Sequence, residues 1–183
     1  MLEKQLIAQG APTLAGLKTA SLFSVPYTDL AGLSRELGRC RRVLAGKGLT
    51  LRVLRRWPGR VLVYVYRPDC LCRDLAQPGV KAFLRRQGYS ALEPEQALGR
   101  LCRRLRAGGE FPHEIGLFLD YPLEDVVGFV ENQGKNCKCV GCWKVYGDAQ
   151  AAKRRFAQFK ACQRAYDQAY RRGKTLAQLT VPS

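Results

Sequence analysis

The sequence predicts an α/β or α+β fold, in which helices cover a small, mixed and partly antiparallel sheet of about four strands and a long C-terminal helix follows. Amphipathic helical stretches alternate with short β-branched runs, but without a strict βαβ repeat. The composition, 46% hydrophobic and 25% charged, is that of a globular protein. Because no linker or internal repeat divides the chain, residues 1–183 are predicted to form a single globular domain.

The N-terminal segment is predicted to form two helices. Pro12 occupies a natural first helical position, and the leucines that follow it would share one face. Those leucines are Leu14, Leu17 and Leu22. In the second helix the apolar residues are spaced by three and four, which is the period of an α-helix. They are Leu30, Leu33, Leu37, Cys40 and Leu44.

Short apolar runs predict the strands. One strand is expected over 49–56 and a second, apolar on both faces, over 61–66. A Trp-Pro-Gly turn separates them, and so short a link favours an antiparallel hairpin. A third strand is predicted over 114–119 and a fourth, short strand over 143–146.

Further helices are predicted between and after these strands. The segment 68–87 would form one or two short helices broken at its Pro-Gly pair, and Pro94 would begin another. Pro122 would begin a short helix that Asp120 or Tyr121 caps. Asp148 would cap the longest helix. Its buried stripe would comprise Ala152, Phe156, Phe159, Cys162, Tyr166 and Tyr170.

The net charge of +16 arises from 31 Lys+Arg against 15 Asp+Glu. A field of that sign attracts polyanions, acidic partner proteins and anionic ligands, and it does not choose among them. A basic face that is merely solvated is the alternative interpretation.

Neither a membrane span nor a leader is indicated. No stretch approaches the ~20 apolar residues that a span requires, and the first ten residues include Glu3 and Lys4. We therefore expect a cytoplasmic protein without membrane association. In that compartment its 8 cysteines would be mostly reduced, and clustered cysteines would bind metal or perform chemistry rather than form disulfides.

The most distinctive motif is the thiol cluster Cys137, Cys139 and Cys142, which lies in a polar, glycine-containing loop. Thiolates suit a soft or borderline metal, so the motif predicts a site for zinc or an iron–sulfur cluster. A closed tetrahedral site needs a fourth ligand, for which Cys162 and His113 are the candidates. Redox-active thiols are one alternative, and inert loop cysteines are another.

The other cysteines are less informative. Cys40 and Cys102 fall on apolar helical stripes, where a free cysteine packs as a small hydrophobic residue. Cys70 and Cys72 lie near a predicted helix start, a position that lowers a thiol pKa.

A thiol- or histidine-dependent enzyme acting on an anionic substrate is a further hypothesis. His113 would act as a base with Glu114 as its orienting group. Lys18 and Arg67 would serve as anion-binding groups. The opposing interpretation of His113 is that it satisfies a backbone carbonyl.

Lysines flank the thiol cluster. Lys135 and Lys144 are predicted to bind anions, to stabilise thiolates and to dock an acidic redox partner protein by charge complementarity.

A nucleic-acid-binding module is the rival function. The basic helical faces around 100–106 and 164–172 would contact phosphates. Aromatic side chains would stack on bases. The candidates are Tyr64, Tyr66 and Trp143.

Four segments resemble the DUF3793 family, small proteins of anaerobic Gram-positive bacteria. They are 11–18, 63–67, 111–119 and 136–147. The resemblance extends almost from end to end and includes the Pro-His-Glu-Ile-Gly segment and the Lys-Cys-x-Gly-Cys-Trp-Lys-Val-Tyr segment. The family has no assigned function, so the resemblance implies membership without a mechanism. Relatives often have a cysteine where this chain has Gly10, so no role that depends on that cysteine is implied here.

Overall fold

The computed structural model describes residues 1–108 and 110–183. The predicted mixture of helices and a small antiparallel sheet, with a long C-terminal helix, is confirmed. The helices are α1 (Leu2–Leu14), α2 (Leu30–Ala45), α3 (Pro68–Ala76), α4 (Pro78–Arg86), α5 (Pro94–Ala107), α6 (Leu123–Glu131) and α7 (Ala149–Arg171). The strands are β1 (Ala20–Pro26), β2 (Thr50–Trp57), β3 (Arg60–Tyr66), β4 (Cys139–Val140) and β5 (Lys144–Val145).

The chain folds into two compact units. The first unit comprises Met1–Cys70 and Ala161–Ser183, and the second unit comprises Leu71–Lys160. The interpretation of residues 1–183 as one domain stays a prediction. Within the described residues, no helix is both long enough and apolar enough to span a bilayer.

A three-stranded antiparallel sheet forms the centre of the first unit. The strand order is β1-β3-β2, so the predicted hairpin of β2 and β3 is confirmed and β3 is the central strand. The Val-Leu-Val-Tyr-Val-Tyr run of β3 is suited to that place because β-branched and aromatic residues pack well on both faces of a pleated strand. A register shift between Val53 and Arg55 interrupts β2, which is an edge strand.

Helix α2 follows its sequence pattern closely. Asp29 caps it, and the Asp29 carboxylate accepts hydrogen bonds from the backbone N–H of Ala31 at 2.9 Å and of Gly32 at 2.8 Å. The predicted stripe is buried against the sheet from its second member onward. Its buried residues are Leu33, Leu37, Cys40 and Leu44.

The prediction for the first of the two N-terminal helices was wrong. Helix α1 begins at Leu2, and Pro12 lies near its C-terminal end rather than at its start. Leu22 belongs to β1, whose burial alternates as expected for a strand. The spacing of the leucines fitted a helix. Phe23 and Val25 fit the two-residue period of a strand, and the longer helical pattern obscured it.

Arg67 is a buried cation that joins three parts of the first unit. Its side chain is 4% exposed and follows β3 directly. Its Nε donates to the Thr13 carbonyl at 2.9 Å, and Nη2 donates to the carbonyls of Leu14 at 3.0 Å and Val181 at 2.8 Å. Its Nη1 donates to Ser183 Oγ at 3.0 Å. Arg67 therefore supplies donors to the C-terminal end of α1, where carbonyls lack partners within the helix.

In the second unit, residues His113–Leu119 form a 3-10 helix, so the predicted third strand was wrong. Every residue from Glu114 to Leu119 is buried, and a short run that is buried all around has no periodicity to separate a strand from a helix. Asp120, at a left-handed φ of 61°, ends the 3-10 helix.

Other helix predictions for 71–171 are confirmed. The break at Pro78 separates α3 from α4, and Pro94 begins α5. Asp148 caps α7 by accepting from the N–H groups of Gln150 and Ala151, both at 2.9 Å. The predicted stripe of α7 is buried only in its first half, and Cys162, Tyr166 and Tyr170 are half-buried. Helix α6 starts after Pro122 without the predicted side-chain cap.

Replacing Arg67 with Met should lower the free energy of unfolding by about 3 kcal/mol, because buried carbonyls would lose their donors. Chemical denaturation followed by circular dichroism measures this. Arg60→Met, which removes an exposed arginine from the start of the same strand, is the control and should change stability by less than about 0.5 kcal/mol. Equal stabilities of the two variants would show that the Arg67 contacts contribute little.

Candidate functional site

The cysteine cluster forms a tight hairpin with Cys142 at its apex. Strands β4 and β5 are antiparallel, with Cys139 opposite Val145 and Val140 opposite Lys144. The Gly141 N–H donates to the Trp143 carbonyl at 3.0 Å, so the same register continues to the turn. The predicted fourth strand is thus confirmed over Lys144–Val145, and its partner is a strand that the sequence did not indicate.

Alternation along the hairpin turns one face inward. Cys139, Trp143 and Val145 lie on the same side of the two strands. They pack in a hydrophobic cluster with residues of α7. The α7 members are Ala149, Ala152, Phe156 and Phe159. Cys139 is therefore used largely for packing.

Gly141 is required by this packing. A Cβ at Gly141 would lie 2.2 Å from two ring carbons of Phe156, well inside any tolerated contact. The aromatic ring thus packs directly on the hairpin backbone, and a side chain at this position would displace one from the other.

Asp125 of α6 anchors the hairpin. The side chain is buried, and its Oδ2 accepts a hydrogen bond from Trp143 Nε1 at 2.7 Å. Its Oδ1 accepts from the N–H of Tyr146 at 2.7 Å and of Gly147 at 2.8 Å. Three donors offset the cost of burying a carboxylate. The sequence indicated only an acidic residue in a first helical turn, so this role was missed.

The lysines of the loop are tied to its backbone. Lys138 Nζ donates to the Gly147 carbonyl and Lys144 Nζ to the Gly134 carbonyl, both at 2.7 Å. Lys144 also lies 5.8 Å from the centroid of the Phe129 ring. Lys135 is exposed, and its carbonyl accepts from Tyr146 Oη at 2.9 Å. Anion binding by Lys135 and Lys144 stays a prediction.

The three loop thiols have different surroundings. Cys139 packs inward, Cys142 is exposed at the apex and Cys137 is half-buried. Cys162, the candidate fourth ligand, is half-buried on α7 in the first unit, and burial raises the pKa of its thiol. Across residues 1–108 and 110–183, no group of three or more His, Cys, Asp or Glu side chains is placed to hold a metal ion. Binding of zinc or an iron–sulfur cluster stays a prediction.

His113 lies between two aromatic rings. The centroid of its ring is 5.7 Å from that of Phe111 and 4.7 Å from that of Phe129. His113 is half-buried, whereas half of the Phe111 side chain is exposed. These contacts pack the imidazole as an aromatic group, and its use as a base or metal ligand stays a prediction.

Glu114 is engaged by neighbours other than His113. Its buried Oε1 accepts from Tyr89 Oη at 2.8 Å and from Arg104 Nη1 at 2.6 Å. Burial, and then the charge of Glu114, raise the pKa of Tyr89 far above its ordinary value. The carboxylate thus joins α5 to the 3-10 helix, and its predicted catalytic role stays untested.

Lys18 and Arg67, the other predicted anion-binding groups, belong to the first unit. Lys18 is half-buried in the turn between α1 and β1. The guanidinium of Arg67 donates to oxygen atoms of the chain itself, and burial lowers its pKa. Those contacts give Arg67 a structural role, beside which anion binding stays a prediction.

The aromatic residues proposed for base stacking are buried. Tyr64, Tyr66 and Trp143 are 0%, 1% and 7% exposed. The rings of Tyr64 and Tyr66 stack on each other with centroids 5.0 Å apart. That part of the nucleic-acid hypothesis was wrong, because strand alternation placed the rings in packed faces.

A different basic region stands out in the first unit. The segment 37–68 contains nine Lys and Arg residues and no Asp or Glu. It comprises most of α2 and the whole β2–β3 hairpin. Its cations are Arg39, Arg41, Arg42, Lys47, Arg52, Arg55, Arg56, Arg60 and Arg67. This basic region is visible in the sequence, but it differs from the helical faces 100–106 and 164–172 that were predicted to bind phosphates.

The tip of the β2–β3 hairpin concentrates these cations around an aromatic ring. The Arg55 guanidinium lies 4.7 Å from the centroid of the half-buried Trp57 ring, and the exposed Arg60 is the cross-strand partner of Trp57. Arg56 is also exposed, but it is opposite Val61 and therefore lies on the other face of the hairpin. Tyr27 Oη donates to the Trp57 carbonyl at 3.0 Å, which holds the turn. We refer to five residues at and near this tip as the arginine edge. It consists of Arg52, Arg55, Arg56, Trp57 and Arg60.

Four carboxylates of the first unit form ion pairs. Glu3 pairs with Arg39 at 2.9 Å and Glu36 with the N-terminal amine at 3.0 Å. Asp29 and Asp167 pair with arginines of their own helices or caps, Arg35 and Arg171. In the part of the chain that the structure describes, no carboxylate forms an ion pair with Arg55, Arg56 or Arg60.

Replacing Asp125 with Asn should lower the free energy of unfolding by about 2 kcal/mol. An amide has one acceptor oxygen, so its NH₂ group would face either the Trp143 indole N–H or the two backbone N–H groups. Urea denaturation of this variant is compared with that of Glu124→Gln, which alters an exposed neighbour whose carboxylate accepts one long hydrogen bond of 3.3 Å. If both variants retain wild-type stability, Asp125 does not anchor the hairpin.

Alkylation of the folded protein at pH 8 should modify Cys142 rapidly and Cys40 very slowly. Cys142 is exposed, whereas Cys40 is buried and burial raises its pKa to about 11. A raised pKa leaves roughly 0.1% of the Cys40 thiol as reactive thiolate at that pH. Peptide mass spectrometry measures the two rates, and unfolding in urea should make them similar. Equal rates in the folded protein would contradict the packing of α2.

Comparison with known proteins identifies a family. A family profile described as a protein of unknown function (DUF3793) matches residues 6–180 of the 183-residue chain. No curated protein and no solved structure shows significant similarity. The resemblance seen in the sequence is confirmed, and the chain belongs to the DUF3793 family.

Proposed function

We propose that the protein binds single-stranded nucleic acid through the arginine edge. The observation that carries the proposal is the acid-free segment 37–68, whose hairpin tip places Arg55 and Arg60 next to a half-buried Trp57 and the exposed Arg56 on the opposite face. Binding at this surface would use the net positive charge of the chain to attract a polyanion.

The chemistry of the arginine edge suits a phosphate backbone. Guanidinium groups donate paired hydrogen bonds to phosphate oxygens and remain charged at any physiological pH. Arg52 and Arg56 flank the register shift of β2, and Arg60 opens the neighbouring strand. Cations on two adjacent strands can follow a backbone rather than a single anion.

Trp57 gives the site a preference for unpaired bases. An aromatic face stacks on any base without reading its sequence, which is the usual device of single-strand binding. The ring is already paired with the Arg55 guanidinium at 4.7 Å, and a base that stacks there would keep a cation beside it.

A surface that is charged only for solubility normally intersperses both signs. In the segment 37–68 all nine charged residues are basic. Arg39 and Arg67 are engaged inside the unit, because Arg39 pairs with Glu3 and Arg67 donates to backbone carbonyls. Self-repulsion among them costs stability, so a bound polyanion is the simplest reason for their concentration.

Thiol chemistry at the hairpin is the less favoured proposal. The exposed thiol of Cys142, held at a rigid apex, supports exchange reactions or docking of an acidic redox partner. Zinc or an iron–sulfur cluster would require Cys137, Cys139 and Cys142 to rearrange, because Cys139 packs against the hydrophobic cluster.

Fluorescence anisotropy with a labelled twenty-nucleotide RNA tests the proposal. The test variant carries Arg55→Gln, Arg56→Gln and Arg60→Gln. Its affinity at ~150 mM salt should fall about ten-fold or more, and the magnitude of the slope of log affinity against log salt concentration should be smaller by about 2. The slope falls because three phosphate contacts no longer release counterions.

The matched control removes the same charge from exposed positions of α4, as Lys81→Gln, Arg85→Gln, Arg86→Gln. It should bind nearly as wild type. Equal weakening of both triple variants would show that net charge alone drives binding, and an absence of binding by the wild-type protein at ~150 mM salt would refute the function.

A further inference from the structure

A polar cavity of about 370 Å³ lies along one face of α5 in the second unit. Its walls come from the helix and from the segment that precedes it. They are formed by Ser90, Ala91, Glu95, Gln96, Gly99, Arg100 and Arg103. The volume falls within the range of small-molecule sites.

Arg100 is held in this cavity by its neighbours. Its guanidinium lies 5.3 Å from the centroid of the Tyr89 ring, and Tyr89 is itself fixed by its hydrogen bond to Glu114. Gly88, at a φ of 81°, allows close approach, since a Cβ there would lie 2.5 Å from Arg100 Nη2. The side chain is therefore oriented before any ligand arrives, which lowers the entropic cost of binding.

The hydrogen-bonding capacity of Arg100 is underused. Its Nη2 donates to the Gln87 carbonyl at a long 3.4 Å. Its Nε is buried, and within residues 1–108 and 110–183 it has no hydrogen-bond partner. Because Nε is buried, a ligand in the cavity would be bound by the Nη groups, whose one hydrogen bond within the described residues is the long one to Gln87.

Two more residues of α5 complete the cavity. Arg103 is exposed and lies three residues after Arg100, so the two guanidinium groups share a face of the helix. Gly99 leaves the space between them open, because a Cβ there would meet nothing within 4 Å. A glycine in a helix interior lowers helix stability by about 1 kcal/mol relative to alanine. Keeping this space open with Gly99 therefore lowers the stability of α5.

We propose that this cavity binds a small phosphate ester, with the phosphate held by Arg100 and Arg103. The hydroxyl of Ser90 and the amide of Gln96 are available to hydroxyl groups of the ester. Glu95, which also lines the cavity, would accept from a hydroxyl and would repel a ligand with negative charge at both ends. The site is separate in sequence from the arginine edge and does not depend on nucleic-acid binding.

Isothermal titration calorimetry with ribose 5-phosphate tests this site, with inorganic phosphate and uncharged ribose as companion ligands. The wild-type protein should bind ribose 5-phosphate with a Kd of about 0.1–1 mM, inorganic phosphate several-fold more weakly, and ribose not detectably. Tighter binding of inorganic phosphate than of the ester would identify a free-phosphate site and overturn the proposal.

Three variants of the cavity and one control variant on α4 localise the binding. Arg100→Gln and Arg103→Gln should each weaken it about ten-fold, whereas Arg85→Gln on α4 should not. Gly99→Leu should abolish it by filling the cavity, while the folded state is kept or stabilised because leucine is a better helix former. Wild-type affinity in Gly99→Leu, or equal loss in Arg85→Gln, would overturn the proposal even if Arg100→Gln failed to fold.

Discussion

Asp125 accepts three hydrogen bonds inside the second unit, and it illustrates how the chain uses its 15 Asp+Glu. Glu114 is likewise buried between Tyr89 and Arg104, and Asp29 and Asp148 cap helices. These carboxylates accept hydrogen bonds within their own units, and two of them also pair with arginines, Asp29 with Arg35 at 3.7 Å and Glu114 with Arg104 at 2.6 Å. The positive field of the protein comes from its 31 Lys+Arg against 15 Asp+Glu.

The cysteine hairpin depends on that internal hydrogen bonding. Strands of two residues have too few ladder bonds to be stable alone, and the hairpin persists because Asp125 binds one strand while Phe156 packs on Gly141. The same register turns Cys139 inward and leaves Cys142 at the apex. The sequence motif suggests three converging thiolates. In the structure Cys139 is packed, Cys142 is exposed and Cys137 is half-buried.

The sequence predicted those elements whose periodicity is long and unambiguous. The stripe of α2 and the hairpin of β2 and β3 are examples. It failed for β1, where Leu22 fits two periods, and for His113–Leu119, where burial on all sides removes the period. The donors to Asp125 lie 18 to 22 residues away in the chain, so no local pattern indicates them. The arginine edge was predictable from the acid-free segment alone, but its aromatic partner Trp57 required the turn geometry.

We propose that the arginine edge, and not the thiol cluster, is the surface of this family member that binds nucleic acid. Amide chemical-shift mapping during titration with a single-stranded oligonucleotide tests it most directly. We expect the largest shifts over 52–60 and at the Trp57 indole N–H, with the Trp143 indole, which donates to Asp125, nearly unchanged. Shifts centred on Cys142 and its hairpin, or shifts spread evenly over all exposed arginines, would contradict it.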